Sequence, residues 1–337
     1  MKAIIYRQYG PPEVLHLAEV AAPEPRPDEI LVRVCATEVT KSDCELRSFR
    51  FPVKWFWLPL RFALGVRRPR RPILGGYFSG VVEAVGEKVT RFDPGDAVYG
   101  SAQLRMGAYG EFLCVPDSYT VTAKPRNMRH FEAAAVPLGG LNALHFMRRA
   151  EIQPGETVLI NGAGGSIGTF AVQIARAMGA SVTVVDAAHK EAMLRRLGAE
   201  HFVDYSTHDF AASGRRYDVI LNMVATRSFS SCMATLKPGG RYLTANPKLS
   251  DMLRASLWPS REGKKAGFAF ARETLDELNA LTEMIEQGSL TAVVDQCLPL
   301  EEAVQAHRRV ESEARLGSIV LELAALDTTP QAGRQSD

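Results

Sequence analysis

The pattern of hydrophobic and polar positions changes near residue 126. Before it, short apolar runs such as those at 3–6, 29–36 and 80–85 are separated by turns rich in proline, glycine and aspartate. After it, short apolar runs alternate with longer segments in which apolar residues recur every three or four positions. The first pattern predicts a β-rich domain, and the second predicts parallel strands alternating with helices. We therefore expect an α/β fold with a doubly wound parallel sheet and a second, β-rich domain.

The clearest unit of the second pattern spans residues 156–186. An apolar run at 158–160 precedes a cluster of glycines, and Phe170, Ile174 and Met178 then recur at helical spacing. A second apolar run closes the unit. Strand, glycine turn, helix and strand make one βαβ unit, and a glycine turn at its first crossover is typical of a nucleotide site.

The turn residues of this unit are candidate ligands for a dinucleotide. Glycines let the backbone approach a diphosphate, and free N–H groups at the start of the helix face its negative charge. The candidates are Gly162, Gly164, Gly165, Ser166, Ile167 and Gly168. Their spacing, G-x-x-G-x-x-G, is a weaker signal than a strict G-x-G-x-x-G, and a tight turn without a ligand is the alternative.

An acidic residue at the end of the second strand strengthens the nucleotide interpretation. Asp186 lies 24 positions after Gly162, near the ~20 expected for a carboxylate that bonds the adenosine ribose hydroxyls. Such a carboxylate favours NADH because it repels a 2′-phosphate. Lys190 has a side chain long enough to reach that phosphate, so NADPH stays open as the alternative.

Length, charge and cysteines narrow the class of protein. A chain of 337 residues suggests two domains at roughly 150 residues each. The 40 basic and 38 acidic residues leave a net charge of +2, which does not indicate a nucleic-acid partner. The five cysteines lack C-x-x-C spacing, as expected for free thiols in a reducing compartment. The start turns polar too soon for a signal peptide, and no apolar run reaches the ~18 residues of a membrane span, so we expect a cytoplasmic protein.

One segment inside the β-rich half has an unusual composition. It begins at Arg47, ends at Arg71 and holds eight basic residues, six aromatic residues and no acid. One interpretation is a surface that makes peripheral contact with a membrane or covers an apolar substrate. The other is an insertion or pocket wall whose aromatic rings pack on the domain while its arginines stay in water. Pro52, Pro59 and Gly65 interrupt any single amphipathic helix, which favours the second interpretation.

Several motifs occur in the order found in one known superfamily. They are GVVEAVGEKVTRFDPGDAVYG (80–100), AAAVPLGGLNAL (133–144), PGETVLINGAGGSIGTFAVQIARAMGA (154–180), LGAEHFVDY (197–205), PLEEAVQAH (299–307) and LGSIVLEL (316–323). With them the chain resembles the medium-chain dehydrogenase/reductase superfamily over nearly its whole length. It is most similar to the zinc-free quinone oxidoreductase-like branch, whose members use NAD(P)H to reduce quinones or the C=C bond of enones and enals.

The resemblance implies the domain organisation. A β-rich, GroES-like catalytic domain is expected at 1–126 and a Rossmann dinucleotide-binding domain at 127–271. A return to the catalytic domain is expected at 272–327, followed by a disordered tail at 328–337. The resemblance also implies a homo-oligomer, and we expect a homodimer.

The resemblance predicts an enzyme without zinc. Zinc-dependent members of the superfamily supply a cysteine where this chain has Thr40 and a His-Glu pair where it has Gly76 and Tyr77. Without a Lewis acid, reduction of an already activated acceptor is favoured over the oxidation of simple alcohols. We expect NAD(P)H-dependent hydride transfer to a small apolar quinone or to the C=C bond of an α,β-unsaturated carbonyl.

The resemblance also suggests individual residues. Thr40 and Tyr77 are the candidate catalytic residues, because a hydroxyl group can donate a hydrogen bond to a developing oxyanion; ordinary fold-supporting roles are the alternative for both. Asn142, Leu243 and Thr244 are expected near the nicotinamide. Tyr205 is expected to border the adenosine, and Ser318 replaces a lysine that relatives often have after the glycine at 317.

Two other functions remain open at this stage. One is a dinucleotide-binding redox sensor or structural protein with little turnover, as in the lens zeta-crystallin of the same superfamily. The other is a membrane-surface quinone reductase that uses residues 47–71 to reach lipid quinones.

Overall fold

The computed structural model describes residues 1–51, 61–62, 64–245, 249–257, 261–268 and 272–323. The predicted tail from residue 328 lies outside these residues, as do positions 52–60 and 63 of the basic, aromatic segment. Within the described ranges, none of the helices combines the length and the apolar character needed to cross a membrane.

A mixed sheet forms the core of the front domain. Its strands are β3 (Glu29–Val39), β4 (Tyr77–Val85), β5 (Ala97–Ser101), β6 (Phe112–Pro116), β7 (Val121–Ala123), β14 (Val294–Pro299) and β15 (Ser318–Glu322). They follow the order β14-β15-β3-β4-β5-β7, with β6 also paired to β3, and a separate hairpin-like pair joins β1 (Lys2–Ile5) to β2 (His16–Glu19). Alternate residues Ile30, Val32 and Val34 of β3 are buried, as expected for one face of a sheet.

A six-stranded parallel sheet forms the second domain. Its strands are β8 (Thr157–Asn161), β9 (Ser181–Asp186), β10 (His201–Asp204), β11 (Tyr217–Asn222), β12 (Leu236–Thr244) and β13 (Lys265–Phe268). The order is β10-β9-β8-β11-β12-β13. The chain first winds from β8 towards β10 and then crosses back to β11, so ligands are expected where the carboxyl ends of β8 and β11 meet. The doubly wound sheet predicted from the sequence is confirmed.

Nine α-helices are described between and around these strands. They are α1 (Lys41–Ser48), α2 (His130–Ala134), α3 (Val136–Arg149), α4 (Ser166–Ala177), α5 (Glu191–Arg196), α6 (Phe229–Ala234), α7 (Leu249–Leu257), α8 (Leu275–Glu286) and α9 (Ala303–Glu311). Short 3₁₀ turns occur at Pro12–Val14, Gln103–Arg105, Ala188–Lys190, Phe210–Ala212, Arg261–Gly263 and Leu300–Glu302. In α4, Phe170 and Ile174 are buried at helical spacing, as the sequence pattern predicted.

Helix α8, which follows the predicted boundary at 272, contacts both domains, since the hydroxyl of Tyr99 in β5 is bonded to its residues Leu278 and Thr282. Helix α8 packs on α3, and its apolar residues Leu278, Leu281 and Ile285 belong to the core of the parallel-sheet domain. Only from β14 onwards does the chain add strands to the front sheet, where β15 pairs antiparallel with β3. The apolar face of α8 is buried against the second domain, and the predicted boundary at 272 stays a prediction.

Candidate active site

The glycine turn joins β8 to α4 in the conformation that an anion site needs. Gly162 has a φ of +87°, in the left-handed region that favours glycine. A β-carbon on Gly168 would lie 2.3 Å from the carbonyl oxygen of Ala163, so the helix packs this close to the turn only with glycine there. Helix α4 begins at Ser166 after its N-cap Gly165, which has no side chain to cap the first N–H groups. The start of α4 can therefore receive an anion.

The front domain reaches this turn through the residues at the start of β15. Gly317 donates its N–H to the carbonyl oxygen of Gly164 at 2.9 Å. The hydroxyl of Ser318 donates to the hydroxyl of Ser166 at 3.1 Å. The Nη2 atom of Arg315 is 3.9 Å from the point where a β-carbon on the N-cap glycine of α4 would lie. The predicted dinucleotide turn is thus a junction of both domains with a cation beside it.

Asp186 and Lys190 form a buried ion pair against the glycine turn. Lys190 Nζ lies 3.0 Å from Asp186 Oδ1, and Asp186 Oδ2 accepts the N–H of Gly164 at 2.6 Å. Tyr205 follows β10, is 63% exposed and donates its N–H to the carbonyl oxygen of Asp186 at 3.3 Å. The structure brings these predicted residues together. Their contacts with the adenosine stay predictions, as does the reach of Lys190 to a 2′-phosphate.

Polar side chains meet at the sheet edge where the direction of winding reverses. Asn161, at the end of β8, donates from Nδ2 to Oδ1 of Asn222 at 2.8 Å. Asn222, at the end of β11, donates from Nδ2 to the hydroxyl of Tyr242 at 3.0 Å. Both asparagines are buried, so these bonds hold the two strand ends in a fixed relation beside the predicted site.

The residues predicted near the nicotinamide lie on two elements. Leu243 and Thr244 end β12 and are both buried. Asn142 lies on α3 and donates from Nδ2 to the carbonyl oxygen of Leu138 at 2.9 Å. The nitrogen of the Asn142 amide is therefore engaged within its own helix, and its contact with a nicotinamide stays a prediction.

Tyr77 is hydrogen-bonded to a carboxylate that the sequence did not reveal. Its hydroxyl donates to Glu273 Oε1 at 2.6 Å, and the hydroxyl of Ser101 donates to Glu273 Oε2. Thr120 donates from Oγ1 to the backbone carbonyl oxygen of Glu273 at 2.8 Å. Burial, and then the neighbouring Glu273, raise the pKa of Tyr77 well above its ordinary value. Tyr77 is therefore a protonated phenol held in place by a carboxylate.

Thr40 caps the helix that follows it. Its hydroxyl donates to Asp43 Oδ2 at 2.6 Å and accepts the N–H of Asp43 at 3.0 Å, which forms a capping box at the start of α1. The pKa of Asp43 is raised because the carboxyl group is buried. The single hydroxyl proton of Thr40 is thus already donated, so the predicted contact with substrate requires this bond to break.

Two basic residues of segment 47–71 are engaged by other side chains of the protein. Arg47 is 1% exposed and pairs with Glu311 of α9. The guanidinium carbon of Arg61 lies 4.5 Å from the ring centre of Tyr9, within cation–π distance. The expectation that the arginines of this segment stay in water is wrong for Arg47. This residue lies on α1, is buried against α9 and has its charge balanced by Glu311.

Comparisons with known proteins agree with this architecture. Residues 26–126 match the family model of the alcohol dehydrogenase GroES-like domain, and residues 197–321 match that of a zinc-binding dehydrogenase. The quinone oxidoreductase of Sus scrofa is 31% identical over 335 residues, which cover 95% of this chain and 97% of the relative. The chain belongs to the medium-chain dehydrogenase/reductase superfamily, as a quinone oxidoreductase-like protein.

Other relatives of this medium-chain dehydrogenase/reductase cover it equally well. The quinone oxidoreductase of Pseudomonas aeruginosa is 29% identical, over 95% of this chain and 99% of the relative. The solved structure of the quinone oxidoreductase from Coxiella burnetii has a TM-score of 0.86 at 27% identity and covers 96% of this chain and 99% of that one. The predicted Rossmann and GroES-like folds are confirmed, and the protein is an NAD(P)H oxidoreductase.

The positions that hold zinc ligands in zinc-dependent members carry other groups here. Thr40 and Tyr77 are neutral hydroxyls already engaged by carboxylates, and Gly76 has no side chain. Tetrahedral zinc takes thiolate, imidazole or carboxylate ligands. Across the part of the chain that the structure describes, no three His, Cys, Asp or Glu side chains form a group that could hold a metal ion. The donor set at these positions does not fit a zinc ion.

Three residues at the site were missed by sequence reasoning. They are Glu38, Arg315 and Glu273. Glu38 is the one with a local signal, because it is a charged residue in the uniformly buried second half of strand β3. Arg315 and Glu273 lie in short polar stretches next to helices, where a charged side chain is usually an ordinary surface residue.

Proposed function

We propose that this protein reduces a quinone, or the C=C bond of an α,β-unsaturated carbonyl, with NAD(P)H and without zinc. The observation that carries the proposal is the Tyr77–Glu273 hydrogen bond at a position where zinc-dependent members have metal ligands. It supplies a proton donor where they have a Lewis acid. Relatives named as quinone oxidoreductases, and a solved enoyl reductase at 25% identity and TM-score 0.83, support the substrate class.

Bound NAD(P)H supplies the hydride, which leaves a negative oxygen on the reduced acceptor. The residues of this chain then have to stabilise and protonate that oxygen. The phenol of Tyr77 turns its O–H from Glu273 to the oxyanion, while Ser101 continues to hold the Glu273 carboxylate. Glu273 is half-buried, so a proton from solvent can reach its carboxyl group and restore the phenol.

For the coenzyme we propose a preference for NADH that is smaller than a lone carboxylate would give. Asp186 stands at the predicted ribose position and disfavours a 2′-phosphate. Lys190 lies 3.0 Å from it and balances its charge, which reduces that repulsion. Turnover with NADH is therefore expected to exceed turnover with NADPH by a modest factor, roughly tenfold or less.

A substrate panel tests the proposal. Quinones, enones, enals and simple aldehydes are assayed with NADH and with NADPH, before and after dialysis against a metal chelator. We expect steady coenzyme oxidation with a quinone or an enone, unchanged by the chelator. The site residues described above supply no thiolate or imidazole ligand for zinc. Activity that the chelator removes and zinc restores would therefore refute the metal-free mechanism.

The same panel separates the other functions. Tight coenzyme binding without turnover on any acceptor would favour a redox sensor or structural protein. Activity that rises only with acidic lipid vesicles would favour a membrane-surface enzyme, which the engaged side chains of Arg47 and Arg61 do not support. We further propose a homodimer, which light scattering of the purified protein would check.

A further inference from the structure

A buried carboxyl group lies beside the glycine turn without a full set of partners. Glu38 is the penultimate residue of β3 and is 1% exposed. Among the residues that the structure describes, its Oε2 atom has no hydrogen-bond partner. A buried polar atom without a partner is costly, so a partner such as a water molecule or a ligand is expected for it.

The position of Glu38 relates it to the dinucleotide site. The hydroxyls of Ser166 and Ser318 are near enough to the Glu38 carboxyl group to favour its charged form. Ser166 is the first residue of α4, and its hydroxyl accepts from that of Ser318 at 3.1 Å. Glu38 also pairs with Val320 across β3 and β15, two residues from Ser318. The Glu38 carboxyl group therefore lies next to the helix start where the family binds the diphosphate of its coenzyme.

Charged groups from several elements act on the Glu38 carboxyl. Burial has the largest effect and raises its pKa to about 7. Arg315, before β15, favours the carboxylate, whereas Asp43 of α1 disfavours it. Burial, and to a lesser extent the charge of Glu38, raise the pKa values of Tyr77 of β4 and Tyr109, before β6, so both phenols are protonated at neutral pH. The carboxyl group is therefore poised to gain or lose its proton near neutrality.

The diphosphate of a dinucleotide brings two negative charges to the same helix start. An ionised Glu38 would repel them in a water-poor junction, where charges interact strongly. A protonated Glu38 instead carries an O–H donor, which suits an anionic acceptor and would give its carboxyl group a partner.

We propose that the protein binds its dinucleotide with Glu38 protonated, the carboxyl O–H donating to the diphosphate, so that binding takes up a proton above neutral pH. This inference rests on the proposed placement of the coenzyme at the glycine turn. It makes coenzyme affinity fall as pH rises, because the bound state holds more protons than the free state.

The first test is the dissociation constant of NADH as a function of pH. NADH is the suitable probe because its diphosphate does not titrate in this range, unlike the 2′-phosphate of NADPH. For one linked proton, the wild-type constant is expected to rise about tenfold from pH 6 to pH 8. Glu38→Gln keeps the shape of the side chain and removes its titrating proton, so the dissociation constant of this variant should not change with pH.

Glu45→Gln is the matched control. Burial also raises the pKa of Glu45 to about 7, but Glu45 faces a different groove, lined with Lys41, Ser48 and Glu311. We expect this variant to keep the wild-type slope. Loss of the slope in both variants would overturn the assignment to Glu38.

A second measurement needs no variant. Calorimetric titration of the wild type with NADH, in two buffers of different ionisation enthalpy, counts the protons taken up. About 0.5 proton is expected at pH 7, rising towards one at pH 8. NADH binding with no proton uptake and a flat affinity profile would overturn this inference alone. Failure to bind NADH at any pH would overturn the proposed dinucleotide site, and this inference with it.

Discussion

Replacing Tyr77 with phenylalanine removes one oxygen atom and leaves the packing of the ring. The lost hydrogen bond joins a phenol to a carboxylate, and hydrogen bonds to charged groups typically stabilise a fold by about 1.5–3 kcal/mol. Because Glu273 is half-buried and still accepts from Ser101, the cost in stability is expected near the lower end, about 1.5 kcal/mol. If the phenol also donates to the oxyanion, kcat should fall about 100-fold or more.

The assay is a comparison of kcat and KM on the best acceptor, together with the denaturation midpoint. An interaction made only in the transition state lowers kcat and leaves KM nearly unchanged. Tyr99→Phe is the matched control, because the Tyr99 hydroxyl is buried and hydrogen-bonded to Leu278 and Thr282 of α8. It should lose comparable stability and keep full kcat. Tyr77→Phe with unchanged kcat would remove Tyr77 from the mechanism.

Two further predictions concern the turn and the pH dependence of stability. Gly168→Ala places a β-carbon 2.3 Å from the Ala163 carbonyl oxygen, so α4 must shift. The dissociation constant of NADH, measured by titration, should rise at least tenfold. In the control Gly110→Ala the new atom meets the flexible end of Met1 at 3.2 Å, and the dissociation constant should not change. Burial lowers the pKa of His130 to about 4. The unfolded chain therefore binds this proton more readily, and His130 destabilises the fold as pH falls from 6.5 towards 4. In His130→Gln the unfolding free energy, measured with urea at several pH values, should fall less steeply over that range, by at most about 1 kcal/mol per pH unit after allowance for partial exposure; an unchanged slope would contradict this.

Much of the site could be predicted because its signals are local in the chain. The strand, glycine turn, helix and strand of residues 156–186 follow from a pattern spread over a few turns of chain, and the structure confirms them. The exchange of metal-binding residues for Thr40 and Tyr77 is equally visible, because a ligand type is a property of single positions.

The bonding state of these residues could not be predicted in the same way. Tyr77 and Glu273 are 196 positions apart, and their hydrogen bond exists only after the start of α8 has been placed against the front sheet. Burial of Arg47 likewise depends on α9, which brings Glu311 to it from 264 positions away. Such contacts depend on how domains pack rather than on neighbouring residues.

The sequence by itself determined the fold class, the glycine turn and the superfamily, because periodicity and short motifs are read from neighbouring positions. Only the tertiary structure decided which hydroxyl protons are already donated and which buried carboxyl oxygen lacks a partner among the described residues. Glu38 shows the physical reason, since its burial and its neighbours Ser166 and Ser318 come from three separate strands and helices. The charge of an acidic residue is set by what surrounds it, and those surroundings form only when the chain has folded.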